Sequence, residues 1–136
     1  MTKSLKVYTD GGSRGNPGHA AIGVVIFDEN DKLLKINAKY IGKATNNQAE
    51  YEGLLTALRM IQVMDVKEVK FYLDSELIVK QLNGKYKVKN AIIKGFNSEI
   101  DKMVSNLGKV EFIHIKREFN KIADKLVNIV LDSKEV

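Results

Sequence analysis

The pattern of apolar and polar positions predicts strands over the first forty residues and mostly helices after them. Leu5-Lys6-Val7-Tyr8-Thr9-Asp10 is β-prone and ends in a cluster of turn formers, Gly11-Gly12-Ser13-Arg14-Gly15-Asn16-Pro17-Gly18. Residues 20–27 are an apolar run, Glu29-Asn30-Asp31 signals a turn, and residues 32–40 form a third strand. Connections this short make an antiparallel meander.

The period then changes. Thr45-Asn46-Asn47-Gln48 has the form of a capping box, and Tyr51, Leu54, Leu55, Leu58 and Ile61 follow at helical spacing. Val69-Lys70-Phe71-Tyr72-Leu73 is a short, nearly continuous apolar strand, as expected in a sheet covered on both faces. Residues 75–82 read as a helix closed by Asn83-Gly84, and residues 91–107 as another stopped by Gly108. Residues 110–115 make a fifth strand, and Asn120 caps a final helix whose apolar side carries Ile122, Ala123, Leu126, Val127 and Val130. The order β-β-β-α-β-α-α-β-α gives an α/β fold, a mixed sheet with helices packed on it. The fourth and fifth strands enter by helical crossovers and are expected to be parallel. With no repeat or linker and one proline, Pro17, residues 1–136 read as a single domain.

Composition narrows the chemistry. The absence of cysteine excludes disulfides, thiolate zinc sites and cysteine nucleophiles, and is compatible with the reducing cytoplasm. The N-terminal residues lack the apolar core of a signal peptide, and no apolar segment is long enough to span a membrane. A formal charge of +5 suits a polyanionic partner, although it serves simple solubility equally well.

Four acids stand apart from those that sit beside lysines on solvated faces. Asp10 ends the first strand, before two glycines that let other backbone approach. Glu50 lies in the first turns of the helix after Asn46-Asn47, and Asp74 ends the fourth strand. Asp124 shares a polar face of the last helix with Asn120 and Asn128. Each has a plain alternative: a turn residue for Asp10, a helix-dipole partner for Glu50, an N-cap for Asp74, a solvated residue for Asp124. If the first and fourth strands are neighbours, Asp10 and Asp74 meet at the sheet edge where open α/β sheets place their sites. Acids without histidine or cysteine select hard cations such as Mg²⁺ or Mn²⁺. Two such ions can activate water and stabilise a leaving oxygen in phosphoryl transfer.

The chain resembles type 1 ribonuclease H over nearly its whole length. The resemblance is carried by residues 8–18, by Thr45-Asn46-Asn47-Gln48-Ala49-Glu50-Tyr51, by Asp74-Ser75, and by Arg117-Glu118-Phe119-Asn120-Lys121-Ile122-Ala123-Asp124, in that order. It implies the ribonuclease H-like fold, with sheet order 3-2-1-4-5 and strand two antiparallel. It implies that Asp10, Glu50, Asp74 and Asp124 bind two Mg²⁺ ions, with Mn²⁺ as a substitute. The RNA strand of an RNA–DNA hybrid would then be hydrolysed to 5′-phosphate and 3′-hydroxyl ends. Gly12, Ser13, Asn46, Asn47 and Glu50 match positions that contact RNA 2′-hydroxyls. Lys43, Thr45 and Asn90 match a DNA-phosphate pocket, and Asn16 matches a turn asparagine near the substrate. Helix-start chemistry is the plain alternative for Asn46 and Asn47, and holding its own turn is that for Asn16.

Two departures stand out. The family's loop histidine, tied to product release, has no counterpart in Ile115-Lys116-Arg117-Glu118-Phe119-Asn120, where Arg117 or Glu118 could substitute. His114 reads as a strand residue and His19 as incidental. The basic protrusion of some members is reduced to Gly84-Lys85-Tyr86-Lys87-Val88-Lys89-Asn90, so weak, salt-sensitive binding is expected. Competing readings are a non-catalytic binder of hybrid or double-stranded RNA on the same fold, and a module of a larger polymerase or reverse transcriptase. Four retained acids argue against a pure binder. The initial methionine and the end just past the last helix favour a free-standing, monomeric protein.

Overall fold

The computed structural model describes residues 3–84, 88 and 90–135. Its elements are β1 (Lys3–Gly15), β2 (Gly18–Asp28), β3 (Leu33–Ala44), α1 (Asn46–Ile61), β4 (Val66–Leu73), α2 (Glu76–Leu82), α3 (Ala91–Val104), β5 (Lys109–His114) and α4 (Lys121–Ser133). A 3₁₀ turn at Arg117–Phe119 leads into α4. The five strands form one sheet in the order β3-β2-β1-β4-β5. β2 runs antiparallel to β1 and β3, while β4 runs parallel to β1 and β5. This is the ribonuclease H-like α/β fold that the resemblance implied. The expected lysine-rich protrusion at Lys85, Lys87 and Lys89 lies outside the described residues.

The first strand is longer than its composition suggests. Residues 11–15 do not turn; they pair with β2 out to Gly15↔Gly18. The hairpin satisfies their backbone donors and acceptors, and this outweighs the turn preference of glycine, serine and asparagine. Asp10 therefore lies inside β1 rather than at its end. The parallel pairing of β1 with β4, however, stops at Tyr8↔Tyr72. Asp10 is thus two residues beyond the point where β4 peels away, which opens one flank of β1 at the carboxyl end of β4.

The main core lies on one face of the sheet. Val7 of β1, Ile22, Val24 and Ile26 of β2 and Val69, Phe71 and Leu73 of β4 meet Tyr51, Leu54, Leu55, Leu58 and Ile61 of α1. Ile78 of α2 and Ile93 and Ile100 of α3 close it. Side chains of this size stabilise by about 1.5–3 kcal/mol each when fully buried. The opposite face is covered by α4 through a smaller cluster, Ala21, Val127 and Leu131. That helix reaches β2 but leaves the outer face of β4 uncovered, so the expectation of a strand buried on both sides is corrected. Val69, Phe71 and Leu73 are buried, whereas the intervening Lys70 and Tyr72 are only half-buried. Tyr72 is shielded there by stacking on Tyr8 at 4.7 Å between ring centroids. Among the described residues, no helix is long and apolar enough to cross a membrane.

Candidate metal centre and nucleic-acid interface

Helix α1 starts where its sequence says. Thr45 Oγ1 accepts from the Gln48 N–H at 3.2 Å, and the Thr45 N–H donates to Gln48 Oε1 at 2.9 Å, completing the capping box. The helix then crosses β1 at very close range. A Cβ on Gly11 would lie 2.1 Å from the Ala49 carbonyl oxygen, and one on Gly53 would lie 2.8 Å from the Asp10 carbonyl oxygen. Only glycines permit this approach, and it brings Glu50 to Asp10. The Gly11 N–H donates to Glu50 Oε1 at 2.9 Å.

Asp74 arrives from the end of β4. The N-cap role open to it on sequence grounds falls instead to Ser75, whose side chain accepts from the Ile78 N–H. Asp10, Glu50 and Asp74 offer carboxylate oxygens that all lie within 4.8 Å of one another. Asp10 and Glu50 are buried. Burial pushes the Asp10 carboxyl up to about 7; repulsion from Asp74 and Asp124 adds to the rise, and a hydrogen bond with Glu50 opposes it. Burial likewise holds the Glu50 carboxyl well above its ordinary range, reinforced by its contact with Asp10. The two share one low-dielectric pocket and resist double ionisation.

These residues fit a hard divalent cation. The donors are all oxygen, the site concentrates negative charge, and Glu50 Oε2 is buried without a hydrogen-bond partner. A cation would satisfy that oxygen and relieve the repulsion. Asp124, on the first turn of α4, stands outside the tight triad but lines the same cleft of about 500 Å³. Its Oδ1 lies 3.4 Å from Arg117 Nη2.

Asn120 departs from its sequence reading. It precedes α4 but makes no side-chain cap. Its amide turns inward, where Nδ2 donates to the Thr9 carbonyl at 2.9 Å and to Asp74 Oδ2 at 3.0 Å. It is buried rather than part of a solvated polar face. An asparagine just ahead of a helix looks locally like a cap. Its actual partners lie 111 and 46 residues away, and nothing local reports them. Asn120 orients Asp74, so Asn120→Ala is expected to lower metal affinity or kcat/KM about 10–100-fold. Mg²⁺ titration calorimetry and steady-state kinetics check this. Unchanged values in both would reduce Asn120 to a fold residue.

The expected nucleic-acid contacts fall in two places. Gly12, Ser13, Asn46 and Asn47 line the carboxylate cleft. Asn46 is tied down on both sides: its Oδ1 accepts from the Ser13 N–H at 2.9 Å, and its N–H donates to Asn16 Oδ1 at 3.0 Å. Asn16 therefore joins the β1–β2 turn to the start of α1. Thr45, Asn16 and Asn90 share a second cleft of about 560 Å³ with Asn46 and Asn47. There Asn90 caps α3 through its Oδ1, which accepts from the Ile92 and Ile93 N–H groups. Lys43 sits near the end of β3 opposite His19, two residues before Thr45.

Of the two candidates to replace the loop histidine, Arg117 lines the carboxylate cleft. Glu118 lines a separate apolar hollow with Tyr8, Phe27, Phe119 and Ile122. His114 is the exposed last residue of β5, and the ring of exposed His19 meets the Tyr40 hydroxyl at 2.7 Å.

Comparison with known proteins agrees with this geometry. Residues 8–130 match the family model described as "Reverse transcriptase-like". The chain is 34% identical over 128 residues to the bifunctional protein Rv2228c of Mycobacterium tuberculosis, covering 93% of this chain and 35% of that protein. It is 34% identical to the ribonuclease HI of Halobacterium salinarum, covering 94% of this chain and 64% of the relative. The chain thus spans only about a third of the Mycobacterium relative. Among solved structures, LC11-RNase H1, isolated from compost, was crystallised with an RNA/DNA hybrid. It superposes with a TM-score of 0.91 at 44% identity, covering 97% of this chain and 99% of that one.

Proposed function

The chain belongs to the type 1 ribonuclease H family, and from that premise we propose that it hydrolyses the RNA strand of RNA–DNA hybrids, leaving 5′-phosphate and 3′-hydroxyl ends. The observation that carries this reading is the convergence of Asp10, Glu50 and Asp74 within 4.8 Å. Together with Asp124 they are the residues that would hold two Mg²⁺ ions, or Mn²⁺ in their place. Ions bound there supply Lewis-acid activation of water and charge neutralisation at the phosphate.

The chain's own residues do the rest. The Gly11 N–H fixes Glu50, and the Asn120 amide fixes Asp74, so both carboxylates are oriented before any ligand arrives. Gly12, Ser13, Asn46 and Asn47 border the same cleft, within reach of RNA 2′-hydroxyls beside the scissile phosphate. Thr45 and Asn90 form the neighbouring pocket for a DNA-strand phosphate, where Asn90 keeps its NH₂ as donor at the start of α3. Lys43, two residues before Thr45, supplies the positive charge beside that pocket. Arg117, across the cleft at Asp124, takes the place of the loop histidine. Residues 1–136 are read as one ribonuclease H domain that acts on its nucleic-acid substrate in the cytoplasm.

A labelled hybrid incubated with Mg²⁺, Mn²⁺ or EDTA tests the reading. Metal-dependent cleavage confined to the RNA strand is the expected result. Binding without cleavage by well-folded protein would favour the non-catalytic alternative, and parallel double-stranded RNA would set the substrate breadth.

A further inference from the structure

The carboxylate cleft has two cations among its described lining residues, Arg14 and Arg117. Arg117 reaches Asp124 at 3.4 Å, whereas Arg14 has three partners: Asn128, which lines the cleft, and two acids that do not. Its Nη2 lies 2.7 Å from Asp132 Oδ1 and donates to Asn128 Oδ1 at 3.2 Å. Its Nη1 pairs with Glu135 Oε1 at 2.5 Å. Asp132 lies in the last turn of α4 and Glu135 two residues beyond its end, and both are largely exposed, with side-chain exposures of 67% and 62%. Ion pairs this open are weak, because water and salt compete for both partners. A phosphate offers the same bidentate geometry to a guanidinium as a carboxylate does. Arg14 also directly follows Ser13, one of the residues proposed to meet the RNA.

We propose that Arg14 is a substrate-phosphate contact held in reserve by Asp132 at the end of α4 and Glu135 just beyond it. In the free protein Asp132 and Glu135 occupy its guanidinium; when hybrid enters the cleft, a backbone phosphate displaces them. The acids then act as an internal competitor that sets hybrid affinity. This rests on the hydrolytic reading above and adds a contact residue and a brake to it.

The test compares the native chain with Asp132→Asn/Glu135→Gln, with Arg14→Gln, and with the triple variant. Steady-state kcat and KM are measured over a range of KCl concentrations. Equilibrium binding of a labelled hybrid is measured in parallel in the Asp10→Asn background, where the strand stays intact. Freeing Arg14 is expected to lower KM and Kd about 3–10-fold at low salt, leave kcat unchanged, and steepen the salt slope by about one. The triple variant is expected to lose the whole gain. A double variant with unaltered KM and Kd would overturn the proposal. So would a gain that persists without Arg14, since that would be general charge removal. Absence of cleavage in every chain, with the binding pattern intact, would strike the hydrolytic reading and leave the Arg14 contact standing.

Discussion

Replacing Asp10 by asparagine is expected to abolish hydrolysis and, in the same protein, to stabilise the metal-free chain at alkaline pH. The first effect follows from removing a charged oxygen donor from a three-carboxylate cluster whose members lie within 4.8 Å. A loss on the order of 10³-fold or more in kcat is expected, measured by single-turnover cleavage. The second follows from the cost of keeping that carboxylate buried. The folded-state value for Asp10 is about 7, against an ordinary 3.8. A raised value means that the native state binds more protons than the unfolded chain between these limits. Its contribution is therefore fully favourable below about pH 4 and is lost as pH rises through about 7. Asparagine mimics the neutral acid at every pH. In EDTA at pH 8, Asp10→Asn should be more stable than the native chain by about 1–4 kcal/mol. At pH 4 the difference should vanish. Thermal unfolding at both pH values decides it: a variant no more stable at pH 8 would show that Asp10 is solvated and not in a strained pair.

Gly11→Ala is expected to damage fold and site together. The added methyl would lie 2.1 Å from the Ala49 carbonyl oxygen and 2.5 Å from the Glu50 amide nitrogen, both backbone atoms that cannot swing aside. Helix α1 must lift from β1, which breaks the packing of Tyr51, Leu54 and Leu58 against Val7 and Ile22. Overpacking of this kind costs about 1–3 kcal/mol, and more where backbone meets backbone. The same shift stretches the bond from the Gly11 N–H to Glu50 and moves Glu50 away from Asp10. Activity should therefore fall even at temperatures where the variant stays folded. Denaturant titration beside a cleavage assay separates the two losses. Native stability with native activity would mean that the close approach of α1 to β1 is not required.

The elements were legible where local chemistry decides them. The capping box at Thr45 and Gln48 and the apolar stripe of α1 depend on neighbours three and four residues apart. The turn at residues 29–31 likewise forms locally, with Asp28 Oδ1 accepting from the Asn30 and Lys32 N–H groups. What the sequence hid is what depends on distant partners. Residues 11–15 have turn composition but belong to a strand, because β2 supplies their hydrogen bonds. Asn120 has cap composition but serves Asp74 and Thr9. Of the four acids, two, Asp10 and Asp74, could be brought together by reasoning about strand order, while Glu50 depends on the close crossing of α1 over β1 at Gly11 and Gly53. The fourth, Asp124, depends on where α4 docks, and helical periodicity alone does not report that.

The unequal covering of the two sheet faces bears on how the site assembles in time. Asp10, Glu50 and Asp74 stand on elements fastened to the large cluster around Tyr51 and Phe71. Asp124 stands on α4, fastened mainly through Ala21, Val127 and Leu131. Regions with few buried apolar contacts open at a lower free energy than the molecule as a whole. Three of the four carboxylates thus stand on elements of the large cluster, and the fourth on a helix of the smaller one, whose leading end Asn120 ties to Thr9 and Asp74. A ligand that engages all four adds a link between the two clusters, so occupancy of the site is expected to raise amide-exchange protection of the C-terminal helix.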